Sequence, residues 1–229
     1  MKKEMLFLSR KEAALSLFYL AVEFLVLPGA LVAAAEAAGL APSPVLLNFV
    51  FYFLNALFLC LICRKFLGAC VRQLLQDPKP VFFTAGAGLL LYFIISRGLE
   101  VLIALVFPKF QNLNNAYLAD MAHSQWWLLA VGVVLLVPPA EELVFRGAVF
   151  GPLFRRRPWA GYLVSMLAFS AIHVMGYLGQ LSPLAVLLSL LQYLPAGFFL
   201  AWAYQHSGNL LSPVLMHSCI NLIGVIAMR

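Results

Sequence analysis

Residues 126–153 read WWLLAVGVVLLVPPAEELVFRGAVFGPL. The stretch opens on uncharged, mostly apolar residues and then places Glu141, Glu142 and Arg146 within the same run. A helix of about 20 mostly apolar residues crosses the roughly 30 Å hydrocarbon core of a bilayer. This run is therefore long enough to span, and its charges lie inside the span. Ionisable groups at that depth are costly and mark functional sites or paired charges.

Working outward, the rest of the chain has the same character. Of its 229 residues 64% are apolar and 10% charged, whereas a soluble domain runs near half apolar and a quarter charged. Hydrophobic runs between polar punctuation predict spans near 13–36, 44–63, 81–107, 126–153, 159–178, 183–204 and 208–227. The expected fold is all-α, a polytopic bundle of about seven transmembrane helices. It forms one membrane domain over 1–229, with N-terminal helices over 1–120 and the polar intramembrane residues within 121–229.

The formal charge of +6 is not arranged as a nucleic-acid-binding stripe, because the basic residues sit in short segments between apolar runs. Lys2, Lys3, Arg10 and Lys11 precede the first run; Arg64, Lys65, Arg72 and Lys79 fall in the second connection and Arg155, Arg156 and Arg157 in the fourth. The first and fifth connections carry no Lys or Arg, and the third only Lys109. This alternation predicts a cytoplasmic N-terminus. The first run exceeds a signal-peptide core and is expected to remain as a spanning helix. Compact length and the lack of an organelle-targeting segment suggest a bacterial inner membrane. Cys60, Cys63, Cys70 and Cys219 form no disulfide or metal framework and are read as packing residues.

The chemistry lies in the second half. Adjacent helix positions differ by about 100°, so Glu141 and Glu142 face different ways, whereas Glu142 and Arg146 share a face at i and i+4. Glu142 and Arg146 can neutralise each other, which leaves Glu141 without a local partner. Pro138 and Pro139 remove two backbone donors and predict a kink around Val134 and Leu135. His173 sits mid-span with Phe169 one turn before it, and His217 and Asn221 project from one helix face. At about 1.5 Å per residue, Glu141 and His173 each lie roughly 20 Å from the Arg155–Arg157 turn, and His217 roughly 14 Å from Ser207-Gly208. Three helices thus bring polar groups to one depth.

Three ordered elements, Glu141-Glu142-x-x-x-Arg146, Phe169-x-x-x-His173 and His217-x-x-x-Asn221, resemble the signature of the CaaX-processing and bacteriocin-processing family of glutamate-type intramembrane proteases. The approach Ser207-Gly208-Asn209-Leu210 also looks like family members. The resemblance covers Glu141 to Asn221 and does not reach the first half of the chain. It implies a four-helix catalytic core around a polar cavity. By that analogy Glu141 and His173 bind and activate water, His217 and Asn221 line an oxyanion site, and Glu142, Arg146 and Phe169 support them. Peptide hydrolysis needs a base for water and donors for the developing oxyanion, and these residue types supply both.

The implied substrate is a membrane-embedded or lipidated peptide or protein: a prenylated C-terminal tail, a bacteriocin leader, or the membrane anchor of a sorting-tagged protein. No cofactor is favoured. A zinc alternative would use Glu141, His173 and His217 as a two-His-one-carboxylate set, although the H-E-x-x-H pattern of common zinc proteases is absent. From another class, a transporter or proton-conducting protein would use the same buried charges together with Glu23, Arg97 and Glu100, and a catalytically dead scaffold would be free to lose one member of the set.

Overall fold

A computed structural model describes residues 4–229; Lys2 and Lys3, counted above among the N-terminal basic residues, lie outside the described residues. The described chain folds into helices α1 (Arg10–Leu25), α2 (Leu27–Ala37), α3 (Pro44–Ile62), α4 (Arg64–Gln76) and α5 (Lys79–Val106), then the long α6 (Leu113–Arg156), and finally α7 (Pro158–Met175), α8 (Pro183–Ser207) and α9 (Leu211–Ala227). Local chemistry fixes several starts. Ser9 and Glu12 form a reciprocal capping box at α1, and Ser43 and Ser182 cap α3 and α8 immediately before a proline, whose missing N–H is harmless in the first turn.

Among the described residues five helices (α3, α5, α6, α7 and α8) are long and apolar enough to cross a membrane, and α1 with α2 makes a sixth span if the pair is counted as one. The protein is a polytopic integral membrane helix bundle. Two of the seven expected runs depart from simple spans. The first is broken at Val26 and bent by 51°, since Pro28 withholds a donor from the turn before it. The last, α9, is apolar but 17 residues long.

Two segments read as connections are helical. Arg64 to Gln76 forms α4, which buries Phe66 and Cys70 while its basic residues stay exposed. Leu113 to Ser124 forms the start of α6, burying Met121 and Ala122 before the chain breaks helical geometry at Gln125. Neither is long enough to cross a membrane by itself, and tertiary contact with one face stabilises them.

The second half of α6 closes a ring with α7, α8 and α9: α6 touches α7 and α9, and α8 lies against α7 and α9. This is the four-helix core expected for the polar residues. Around it α5 packs on α8 and α9, α3 on α6, and α1 on the part of α6 after Glu142. Close approach depends on Gly197, where a Cβ would stand 3.0 Å from the Met166 backbone.

Candidate active site

The prolines expected to disturb α6 do so by widening it. Residues Gly132–Leu136 form a π-helical turn, in which Val137 N–H reaches back five residues to the Gly132 carbonyl. The next donor in that register would come from Pro138 to the Val133 carbonyl, and proline has none. Asn221 supplies the missing bond from α9: its Nδ2 donates to Val133 O at 2.7 Å. A second widened segment, Leu143–Phe150, follows the glutamates, and Ser165 Oγ of α7 donates to its Phe145 carbonyl at 2.9 Å.

Between these widened segments stand the two acids, and their environments differ. Glu142 is fully buried and its Oε1 accepts from Arg146 Nη1 at 3.1 Å. The same oxygen also accepts from His217 Nδ1 at 2.9 Å. Arg146, equally buried, donates from Nη2 to the Gly197 carbonyl at 3.0 Å and lies 4.5 Å from the centre of the Phe169 ring. The expected i, i+4 pair is present, and His217 joins it from another helix. Glu141 lies on the wall of a cavity of about 400 Å³, and its buried Oε2 has no hydrogen-bond partner among the described residues. Glu142 Oε2 also lacks one, but Glu142 is not on the cavity wall.

Glu141, His173, His217 and Asn221 all line this one cavity. Phe169, buried against Phe145, carries both imidazoles on its ring, with centroids 4.7 Å from His173 and 5.7 Å from His217. His173 Nδ1 sits 2.8 Å from the Phe169 carbonyl. A carbonyl oxygen only accepts, so Nδ1 carries the proton and the neutral ring presents Nε2 as a lone pair. His217 gives its Nδ1 proton to Glu142 and likewise leaves Nε2 free.

The approach to α9 is also built. Gly208 takes φ +69°, a left-handed conformation that ends α8. Asn209, fully buried, donates from Nδ2 to Cys70 O and Gln73 Oε1, both at 2.8 Å, and accepts from Leu211 N–H at 2.9 Å. This loop sets where α9 begins and therefore where His217 stands.

The zinc alternative requires Glu141, His173 and His217 to converge on one ion. Among the described residues no three His, Cys, Asp or Glu side chains are placed to hold a metal. The residues present do not form that set. The charges that suggested transport pair locally: Arg97 Nη1 and Glu100 Oε2 are 2.8 Å apart and partly exposed at the cavity wall.

Sequence reasoning missed Tyr193, whose ring stacks on His173 at 4.3 Å between centroids. The polar pair Gln192-Tyr193 inside an apolar span was the available signal. It also passed over Asn112, Asn114 and Asn115, which hold the Tyr193 hydroxyl. Glu23, which the sequence marks only as a buried charge, lines the cavity and accepts from Asn55 Nδ2 at 3.0 Å.

Comparison with known proteins matches the same region. Residues 123–223 fit the family model described as type II CAAX prenyl endopeptidase Rce1-like. A curated relative, the UPF0177 protein YxdF of Lactococcus lactis subsp. lactis (strain IL1403), is 30% identical over 95 residues, which are 42% of this chain and 47% of that protein. The match thus spans about half the length of that relative. No solved structure matches the chain. Residues 123–223, the stretch that carries the acids, both imidazoles and Asn221, are thus similar to the Rce1-like family of type II CAAX prenyl endopeptidases.

Proposed function

We propose that the protein is an intramembrane endopeptidase that hydrolyses a peptide bond of a membrane-embedded or lipidated substrate with water activated by Glu141 and without a metal. The observation that carries this reading is the division of labour between neighbouring acids. Glu142 is occupied by Arg146 and His217, whereas Glu141 lines the cavity and its buried Oε2 has no hydrogen-bond partner among the described residues.

Water would sit between Glu141 and His173 Nε2, which accepts one of its protons in a hydrogen bond and orients the oxygen. Glu141 takes the other proton as water adds to the scissile carbonyl carbon. The carbonyl oxygen becomes an oxyanion facing His217 and Asn221. Asn221 has a second Nδ2 proton to offer beyond the one given to Val133. His217 donates from Nε2 only when its ring carries both protons, since Nδ1–H is already given to Glu142. Glu141 then returns its proton to the leaving amine, the C–N bond breaks, and a carboxylic acid and an amine are released.

The family description makes prenylated C-terminal peptides the first substrates to try, with leader peptides and membrane-anchor peptides alongside. The purified protein is assayed in detergent with fluorogenic versions of each, after its metal content is measured, with Glu141→Ala as control. The reading requires cleavage by the wild-type protein, at least about 100-fold slower in the variant. Equal activity in Glu141→Ala removes the acid from its role, and stoichiometric zinc overturns the metal-free chemistry. Ion or solute flux into proteoliposomes that Glu141→Gln alters, without any cleavage, would establish the transporter reading instead.

A further inference from the structure

Besides its contact with Phe169, the His173 ring is stacked against Tyr193 of α8, at 26° between ring planes. Tyr193 is itself held. Asn114 Nδ2 donates to its hydroxyl at 3.0 Å, and the hydroxyl lies 3.4 Å from Asn112 Oδ1 and from Asn115 Oδ1. Asn112 Nδ2 also donates to Gln192 Oε1 at 2.8 Å, so adjacent α8 residues are tied to the same turn of α6. That turn is anchored in turn, because Asn112 Oδ1 caps α6 by accepting from Asn115 N–H at 3.2 Å.

A stacked ring alone leaves an imidazole free to rotate in its own plane, and a hydrogen bond at Nδ1 alone leaves it free to swing about that bond. The Phe169 carbonyl fixes the first freedom and the Tyr193 plane the second. Tyr193 shares the cavity wall with His173, Asn112, Asn114 and Asn115. The asparagines precede residue 123, where the family match begins, so this support comes from the part of α6 lying outside the matched segment.

We propose that Tyr193, tethered by Asn112 and Asn114, is a positioning residue that holds His173 Nε2 at the reacting water. The kinetic part rests on the peptidase reading above. Tyr193→Leu removes the stacking plane and its tether, and lowers kcat by about 100-fold with KM little changed, since a misplacement on the order of 1 Å costs about that much. Tyr193→Phe keeps the plane and recovers most of kcat, and Asn114→Ala, which removes one bond of the tether and keeps the ring, falls between Tyr193→Phe and the wild type.

The test also has a readout independent of activity. In protein labelled with ¹⁵N-histidine, the His173 signal, assigned with His173→Gln, reports an Nδ1-protonated ring in the wild type. The proposal expects that signal to shift or broaden in Tyr193→Leu and to be restored in Tyr193→Phe. An unchanged His173 signal in Tyr193→Leu overturns the positioning role, as does wild-type kcat in that variant. Absence of any Glu141-dependent cleavage by the wild type would sink the peptidase reading while the imidazole signal still decides the position of His173.

Discussion

His217 Nδ1 donates to Glu142 Oε1 at 2.9 Å, so the second acid of the Glu-Glu pair orients an imidazole from a helix 75 residues away in sequence. The same oxygen receives Arg146, and Arg146 in turn reaches the Gly197 carbonyl on α8. One buried cluster therefore ties together α6, α8 and α9.

Removing one partner from that cluster leaves an uncompensated buried charge. Glu142→Gln keeps the side-chain shape but strands Arg146, and should destabilise the fold by roughly 3–5 kcal/mol. Arg146→Lys should be nearly as damaging, since an ammonium cannot bridge Glu142 and Gly197 while lying flat on Phe169. Thermal unfolding in detergent checks both, and melting temperatures equal to the wild type's would count against the cluster. Glu141→Gln, which breaks none of the bonds joining Glu142, Arg146 and His217, should melt near the wild type.

Asn221 and Pro138 make a compensating pair. Asn221→Ala leaves the Val133 carbonyl without its donor and should cost about 1–3 kcal/mol. Pro138→Ala restores an N–H to the register that reaches Val133. The double variant should therefore be less destabilised than the sum of the single variants, as a double-mutant cycle measures. Strict additivity would mean that the Val133 carbonyl does not couple them.

The segment before α1 lies against the core. Leu6 N–H donates to Gly208 O at 2.9 Å, and the Tyr204 hydroxyl donates to Leu6 O. Leu8 is buried where Gly147 has no side chain: a Cβ there would stand 2.8 Å from Leu8 Cδ1. Leu8→Ala should cost about 2–5 kcal/mol by opening a cavity. Gly147→Val should displace Leu8 and expose the segment to limited proteolysis, with cleavage mapped by mass spectrometry. A protease-resistant Gly147→Val protein would contradict this.

Cys70 of α4 is fully buried, and burial pushes its thiol up to about 11 despite a backbone hydrogen bond from Leu210. At pH 7.5 it lies well below that value and stays a thiol, which reacts slowly with maleimide. It should remain unlabelled in the native protein, become labelled once SDS unfolds the chain, and be read by peptide mass spectrometry. Rapid native labelling would show α4 detaching from the bundle.

Helical periodicity and composition accounted for much of this protein before any tertiary contact was known. The apolar excess gave a membrane bundle, the i, i+4 spacing gave Glu142 with Arg146, and Pro138-Pro139 gave a disturbed α6, because each depends on one helix alone. Partners on other helices were out of reach: His217 on Glu142, Asn221 on the Val133 carbonyl and Tyr193 on His173 follow from how helices pack. The polar helices α4 and Leu113–Ser124 were likewise invisible, since their stability comes from the neighbours they lie against. A linear chain specifies which side chains share a face of one helix, and only packing specifies which faces meet.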